Sequence, residues 1–190
     1  MTQTPLLLAV AGLLTGACAT STGPGAPRSA ADHEEQVRHA TTARDHAAHL
    51  RVASDIRRKE AATCTPSSEP HGRHVPLLVQ GTVASVEPRH QKVNHWRRVL
   101  RGASLLVTSG DLVHLEAAKK AIACHLSRAA THGWDDPGQE LCPLCVPGAT
   151  ATVTAETLGI GITVKAEAKM GAREILRRSR ALVGQATPDE

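Results

Sequence analysis

The sequence predicts an α+β domain: an antiparallel sheet of about four strands with two helices on one face, in the order ββα–ββα, preceded by a long charged helix. Three observations carry this expectation. Apolar and polar residues alternate at period two within 75–86 and 150–166. Two segments, 111–130 and 168–183, repeat apolar residues at helical spacing. The stretch 29–62 holds neither Gly nor Pro and abounds in Ala, Arg and Glu. Neither ββα half can cover its own apolar face, so the two are read as one domain over 74–184.

Taken in order, residues 1–17 read as an export signal. The apolar run from Leu6 to Leu14 is too short to span a bilayer, and it closes on the small residues Thr15, Gly16 and Ala17 before Cys18. Residues 18–28 are small, polar and rich in Gly and Pro, which makes a flexible tether. The charged helix is expected over 29–63, with Val37, Leu50, Val52 and Ile56 as its only large apolar side chains. As one rod it would run roughly 50 Å at about 1.5 Å per residue, more than a small domain can cover. Part of it should stand free as a stalk or pair weakly with a second copy through its alanines. Its His39, His46 and His49 share one side and read as solvated polar residues.

A loop with two prolines and a glycine, 63–73, closes this segment. The first strand is expected at 75–87, with Leu77, Val79 and Val83 on one side, and a short second strand at Ser104–Thr108. Asp111 should cap a helix reaching about Ala130, with Leu115, Ala118, Ile122, Leu126 and Ala129 on its stripe. Residues 150–156 and 160–166 form the clearest hairpin, turning at Thr157–Gly159. The last helix, 168–183, aligns Ala172, Ile175, Leu176, Ser179, Leu182 and Val183. A tail, 185–190, is expected to be disordered.

Composition excludes several function classes. The 190 residues contain no Phe or Tyr and two Trp, which weakens any reading that needs an aromatic platform to stack sugars or single-stranded bases. Lys and Arg number 22 against 18 acids, a mixed-sign surface rather than a nucleic-acid field. No GxSxG, SxxK, HExxH or phosphate-binding glycine loop is present, and the adjacent Asp135 and Asp136 precede Pro137 as in a turn. The expected protein is non-enzymatic, with no metal and no cofactor.

Two stretches carry chemistry. The segment 88–102 collects Arg89, Lys92, Arg97, Arg98 and Arg101 with His90, His95 and Trp96, and contains no acid. As a basic loop it suits an anionic lipid headgroup or glycan; as a plain solvated connection it would tuck Trp96 into the sheet edge. The cysteines are the second. Cys64, Cys124, Cys142 and Cys145 follow Cys18, and an even set in an exported chain reads first as disulfides, with three connectivities open. Cys124 lies about half a turn from the stripe centred on Leu115, off the sheet. Because Cys142-Pro-Leu-Cys145 returns just after this helix, a bridge from Cys124 to Cys142 or Cys145 is expected, stabilising by about 3 kcal/mol. The alternative is a metal- or thiol-dependent protein using Cys124, Cys142 and Cys145 with His125. Against it, a thioredoxin-like pair should open a helix, whereas Pro147, Gly148 and a strand follow here. Zinc would want a second spaced ligand pair, and Cys124 and His125 are adjacent.

The run from Leu6 to Cys18 resembles the lipobox of bacterial lipoproteins. The resemblance implies cleavage before Cys18, a diacylglycerol on its thiol, an acylated amine, and hence attachment to a membrane. Ala19, rather than Asp, implies the outer membrane. An ordinary signal cut near Ala17 or Ala19, or an uncleaved anchor, also fits the residues. The hairpin and Ala-Arg-rich helix of the second half resemble BON-type domains over about 35 residues, which implies a small exported module associated with phospholipid. Taken whole, the chain resembles lipoproteins of Gram-negative bacteria that join a lipobox, a charged helix and a small α+β domain. The expected function is an envelope binding or structural module.

Overall fold

The computed structural model describes residues 28–64, 78, 82–108, 115–134 and 140–184. The export signal, Cys18, the tether up to residue 27, the Asp111 cap, the Asp135–Asp136 turn and the 185–190 tail lie outside them. Of the expected strand start at 75–81, only Leu78 is described. It is helical rather than extended, and it packs partly buried against the core.

The fold is α+β with a four-stranded antiparallel sheet. In chain order the elements are α1 (Ala30–His39), α2 (Ala43–Thr63), β1 (Thr82–Lys92), β2 (Arg98–Thr108), α3 (Leu115–His132), β3 (Thr150–Glu156), β4 (Gly159–Lys165) and α4 (Lys169–Gly184). The strands lie in the order β1-β2-β4-β3, so each hairpin contributes an inner and an outer strand. Cross-strand rows explain the alternation: Val86, Leu105, Ile162 and Val153 align across the sheet, as do Pro88, Ala103, Val164 and Ala151. Leu105, Ile162 and Val164 are fully buried, each contributing about 1.5–3 kcal/mol relative to exposure. They share one core with Ala118 and Ile122 of α3 and Ile175 of α4. The opposite rows are polar, and Ser104 Oγ lies 3.1 Å from Thr163 Oγ1.

The expected single helix at 29–63 is two helices folded back on each other. Thr42 breaks it: extended at φ −120° and ψ 147°, its hydroxyl accepts the Asp45 N–H, while Ser29 and Asp32 form a reciprocal capping box at the start of α1. Ser and Thr side chains compete for backbone donors in this way, so a Thr pair inside an Ala-rich helix favours a restart. Across the bend, Arg57 Nε and Nη2 each donate to the Glu34 carboxylate at 2.8 Å. This pair is exposed and adds little energy, but it fixes the pairing of the two helices.

Nor does this hairpin stand free as a stalk. It packs on α3, burying Ser29, Ala30 and Ala53, and Glu60 lies within 3.8 Å of Arg128 and 3.7 Å of His132. Helix α3 is therefore covered on two sides. Its Ala118 and Ile122 join the sheet core, while Cys124, Ser127 and Thr131 are buried without belonging to it.

Two strand boundaries also differ from expectation. β1 continues to Lys92 and β2 begins at Arg98, so most of the expected loop 88–102 is strand. Polar side chains hid this, because these strand ends have solvent rather than a core beside them.

Candidate functional site

The long first hairpin outruns its sheet. β4 pairs with β2 only from Gly102 to Val107, and no further strand flanks β2 beyond Gly102 among the described residues. Gly102 marks the departure point. Its φ is 150°, and a Cβ there would lie 2.0 Å from the Val164 carbonyl oxygen, so only glycine allows this approach. A register shift between Arg89 and His90 follows on the partner strand. From there a two-stranded ribbon runs to a turn at 93–97, where Asn94 Oδ1 accepts the N–H groups of Trp96 at 3.2 Å and Arg97 at 2.8 Å.

Trp96 is 97% exposed at this tip, not tucked into the sheet edge, and Val93 beside it is exposed as well. Arg89, Lys92, Arg97 and Arg98 are exposed. Lys92 stands directly opposite Arg98, a like-charge cross-strand pair that destabilises the ribbon unless an anion meets it. Arg101 is employed differently. Its Nε donates to Gln91 Oε1 and its Nη1 to the Glu167 carbonyl, both at 2.8 Å, which fastens the ribbon base to the turn before α4.

The cysteines divide into two pairs. Cys124 bonds to Cys64, not to Cys142 or Cys145 as expected. It does point away from the sheet, but that side of α3 faces the end of α2, where Cys64 is the C-cap. Closing this 60-residue separation is worth about 4 kcal/mol in the chain-entropy model.

Cys142 and Cys145 remain thiols, both buried in the loop between α3 and β3. Their Sγ atoms are 2.6 Å apart, and His125 Nε2 lies 3.2 Å from Cys142 Sγ and 3.0 Å from Cys145 Sγ. One helical step, about 100°, separates His125 from Cys124. Their adjacency in sequence therefore sends one side chain to α2 and the other to the CxxC loop. The Cys142 thiol is pulled down to about 5, first by its hydrogen bond with Cys145 and then by His125 and the Leu144 N–H, while burial pushes the other way. Arg178 Nη1 donates to the carbonyls of Cys142 at 3.2 Å and Cys145 at 3.1 Å, and its Nε to Glu174 at 2.7 Å, which ties the loop to α4. Glu174 is held down to about 2 by its hydrogen bonds with Arg177 and Arg178.

Among the described residues, His125, Cys142 and Cys145 are the one group of three with metal-ligating atoms in mutual reach. The three side chains can hold a soft cation, or the two thiols can cycle between dithiol and disulfide. The histidines of the N-terminal helices do not form such a group: His39 pairs with Glu35, and His49 sits 3.1 Å from His33, nitrogen to nitrogen. No helix among the described residues is long and apolar enough to cross a membrane. No protein-family model, no curated protein and no solved structure matches the chain.

Proposed function

We propose that this protein is a non-enzymatic binding module of the cell envelope, anchored to the outer membrane through a lipid on Cys18, that meets an anionic surface with the ribbon 89–101. In this reading the domain is ββα–ββα, with α3 and α4 on one face of the sheet and the ribbon projecting from its β1–β2 end. One observation carries it. The ribbon presents exposed Arg89, Lys92, Arg97 and Arg98 beside a 97% exposed Trp96, with no acid between Pro88 and Gly102. An indole prefers the membrane interface, and each basic side chain near an anionic surface adds roughly 1 kcal/mol.

Vesicle flotation tests this reading. The Cys18→Ser protein should bind anionic vesicles, ignore neutral ones and lose binding as salt rises, since charges are screened beyond about 8 Å at physiological ionic strength. The triple variant Arg89→Ser, Arg97→Ser, Arg98→Ser should bind more weakly by about 3 kcal/mol. Equal binding to neutral and anionic vesicles would remove the surface reading. Unchanged membrane fractionation of Cys18→Ser in cells would remove the anchor.

A second reading, a metal- or thiol-dependent protein, is favoured by the meeting of His125 with both thiols of the CxxC loop. Cys124 has no part in it, being bonded to Cys64.

A further inference from the structure

We infer that His125, Cys142 and Cys145 form a binding site for one thiophilic metal ion, of which Zn(II) is the type, with a coordination position left for an outside ligand. The inference deepens the second of the two readings above and is independent of the surface contact.

Ligand convergence is the first ground. The imidazole comes from the middle of α3 and the sulfurs from the following loop, 17 and 20 residues away, yet Nε2 sits nearly equidistant from both Sγ atoms. A disulfide between Cys142 and Cys145 would offer the imidazole only weak, uncharged acceptors. A metal explains all three vertices together. Two thiolates and a neutral imidazole supply two negative charges, which a divalent cation neutralises, and soft sulfur ligands select zinc-like ions over magnesium or calcium.

The fit requires a small adjustment. Metal–sulfur bonds of about 2.3 Å at tetrahedral angles place two sulfurs about 3.8 Å apart and a sulfur and nitrogen about 3.5 Å apart. The present triangle of 2.6, 3.2 and 3.0 Å must therefore open.

The surroundings are the second ground. Metal centres need their ligands held by neighbours. Here the Leu144 N–H is directed to the Cys142 sulfur, and Arg178 grips the carbonyls of both cysteines. Leu144 and Val146 are buried in the same core as the two cysteines. His125 is only half-buried, so the site opens on its side. Three protein ligands are in mutual reach among the described residues, and the half-buried imidazole marks the side from which an outside ligand would approach. The Cys64–Cys124 disulfide gives the third ground. Such a bridge persists under oxidising conditions, where a bound metal would protect a neighbouring CxxC pair from oxidation.

The test uses the full chain with the Cys64–Cys124 disulfide intact, extracted with a chelator and titrated anaerobically with Co(II) alone. One equivalent should produce a thiolate-to-cobalt charge-transfer band and intense tetrahedral ligand-field bands, and Zn(II) should displace both. Cys142→Ser and Cys145→Ser should each halve the charge-transfer intensity. His125→Gln should keep that intensity and shift the ligand-field bands. Arg178→Gln should weaken Co(II) binding about tenfold. Circular dichroism of each variant separates loss of a ligand from loss of fold. If the folded wild-type protein shows two alkylatable thiols and no cobalt bands, the metal inference is overturned and the thiol reading stands; if it shows neither an alkylatable thiol nor cobalt bands, both fall. If Cys142 and Cys145 instead re-form a disulfide reversibly and take up no metal, the thiol reading stands and the metal inference is overturned.

Discussion

The two hairpins of the sheet share a motif and differ in nearly everything else. β3–β4 has seven-residue strands and a tight turn, and β4 lies inside the sheet over its whole length. Its apolar residues alternate with threonines because one face rests on the core. β1–β2 has eleven-residue strands, and only the half below Gly102 lies beside a core. Beyond that point Arg, Lys, His, Gln and Asn predominate, with Val99 and Leu100 half-buried near the base and Trp96 at the tip. Period-two alternation is thus a record of what lies under a strand, not of the strand itself. Where nothing lies beneath, extended backbone persists on its own ladder bonds and is freed for surface chemistry.

Substitutions can break this comparison, and the largest effect is expected at the point where the hairpins separate. Gly102→Val should destabilise by more than about 4 kcal/mol, because its Cβ would collide with a backbone carbonyl that cannot yield. Denaturant titration checks it, and a near-native midpoint would mean that the ribbon does not leave the sheet as described. Replacing both Cys64 and Cys124 by Ser should cost about 4 kcal/mol. Since α3 packs on β3, amide exchange should quicken through β3–β4 while ribbon amides, already fast, hardly change. Equal quickening in both would place the ribbon within the cooperative core.

Ile162→Ala, in the middle of the shorter hairpin, should cost about 3 kcal/mol by thermal unfolding. Acidification should act on a smaller scale through α4. Glu174 has its carboxyl depressed below the usual value, so its contribution is present above about 4.5 and is lost as pH falls toward about 2. Glu174→Gln should flatten that part of the acid-unfolding curve. The smallest effect is expected from Trp96→Ala, within about 0.5 kcal/mol of wild type in stability despite removing the chain's most exposed aromatic. A loss above 1 kcal/mol would mean that the indole is packed rather than presented.

Legibility followed local physics. The second hairpin and both sheet-facing helices were readable to within a few residues, because a buried stripe imposes its period on the sequence. The break at Thr42 was also written there, in Thr42 and Asp45 at capping distance, but an absence of Gly and Pro outweighed it. Helical phase places Cys124 off the sheet, as observed, but its partner lies 60 residues away in Cys64 and not in the nearby CPLC segment.

By itself, the sequence determined an α+β domain, most of the inward residues of β3, β4 and α4 (Ala155 and Val183 are exposed instead), and an acid-free basic stretch around Trp96. These depend on neighbours within a few positions, whose spacing is fixed by helix and strand geometry. The tertiary structure alone decided which cysteine meets which, that the N-terminal helices fold back onto α3, and that His125 stands over Cys142 and Cys145. The cysteine and histidine contacts join residues 17 to 60 positions apart, and those of Glu60 with α3 join residues 68 and 72 apart. Their partners are chosen by how α3 is wedged between a sheet and a helical hairpin, and no periodicity along the chain encodes that packing.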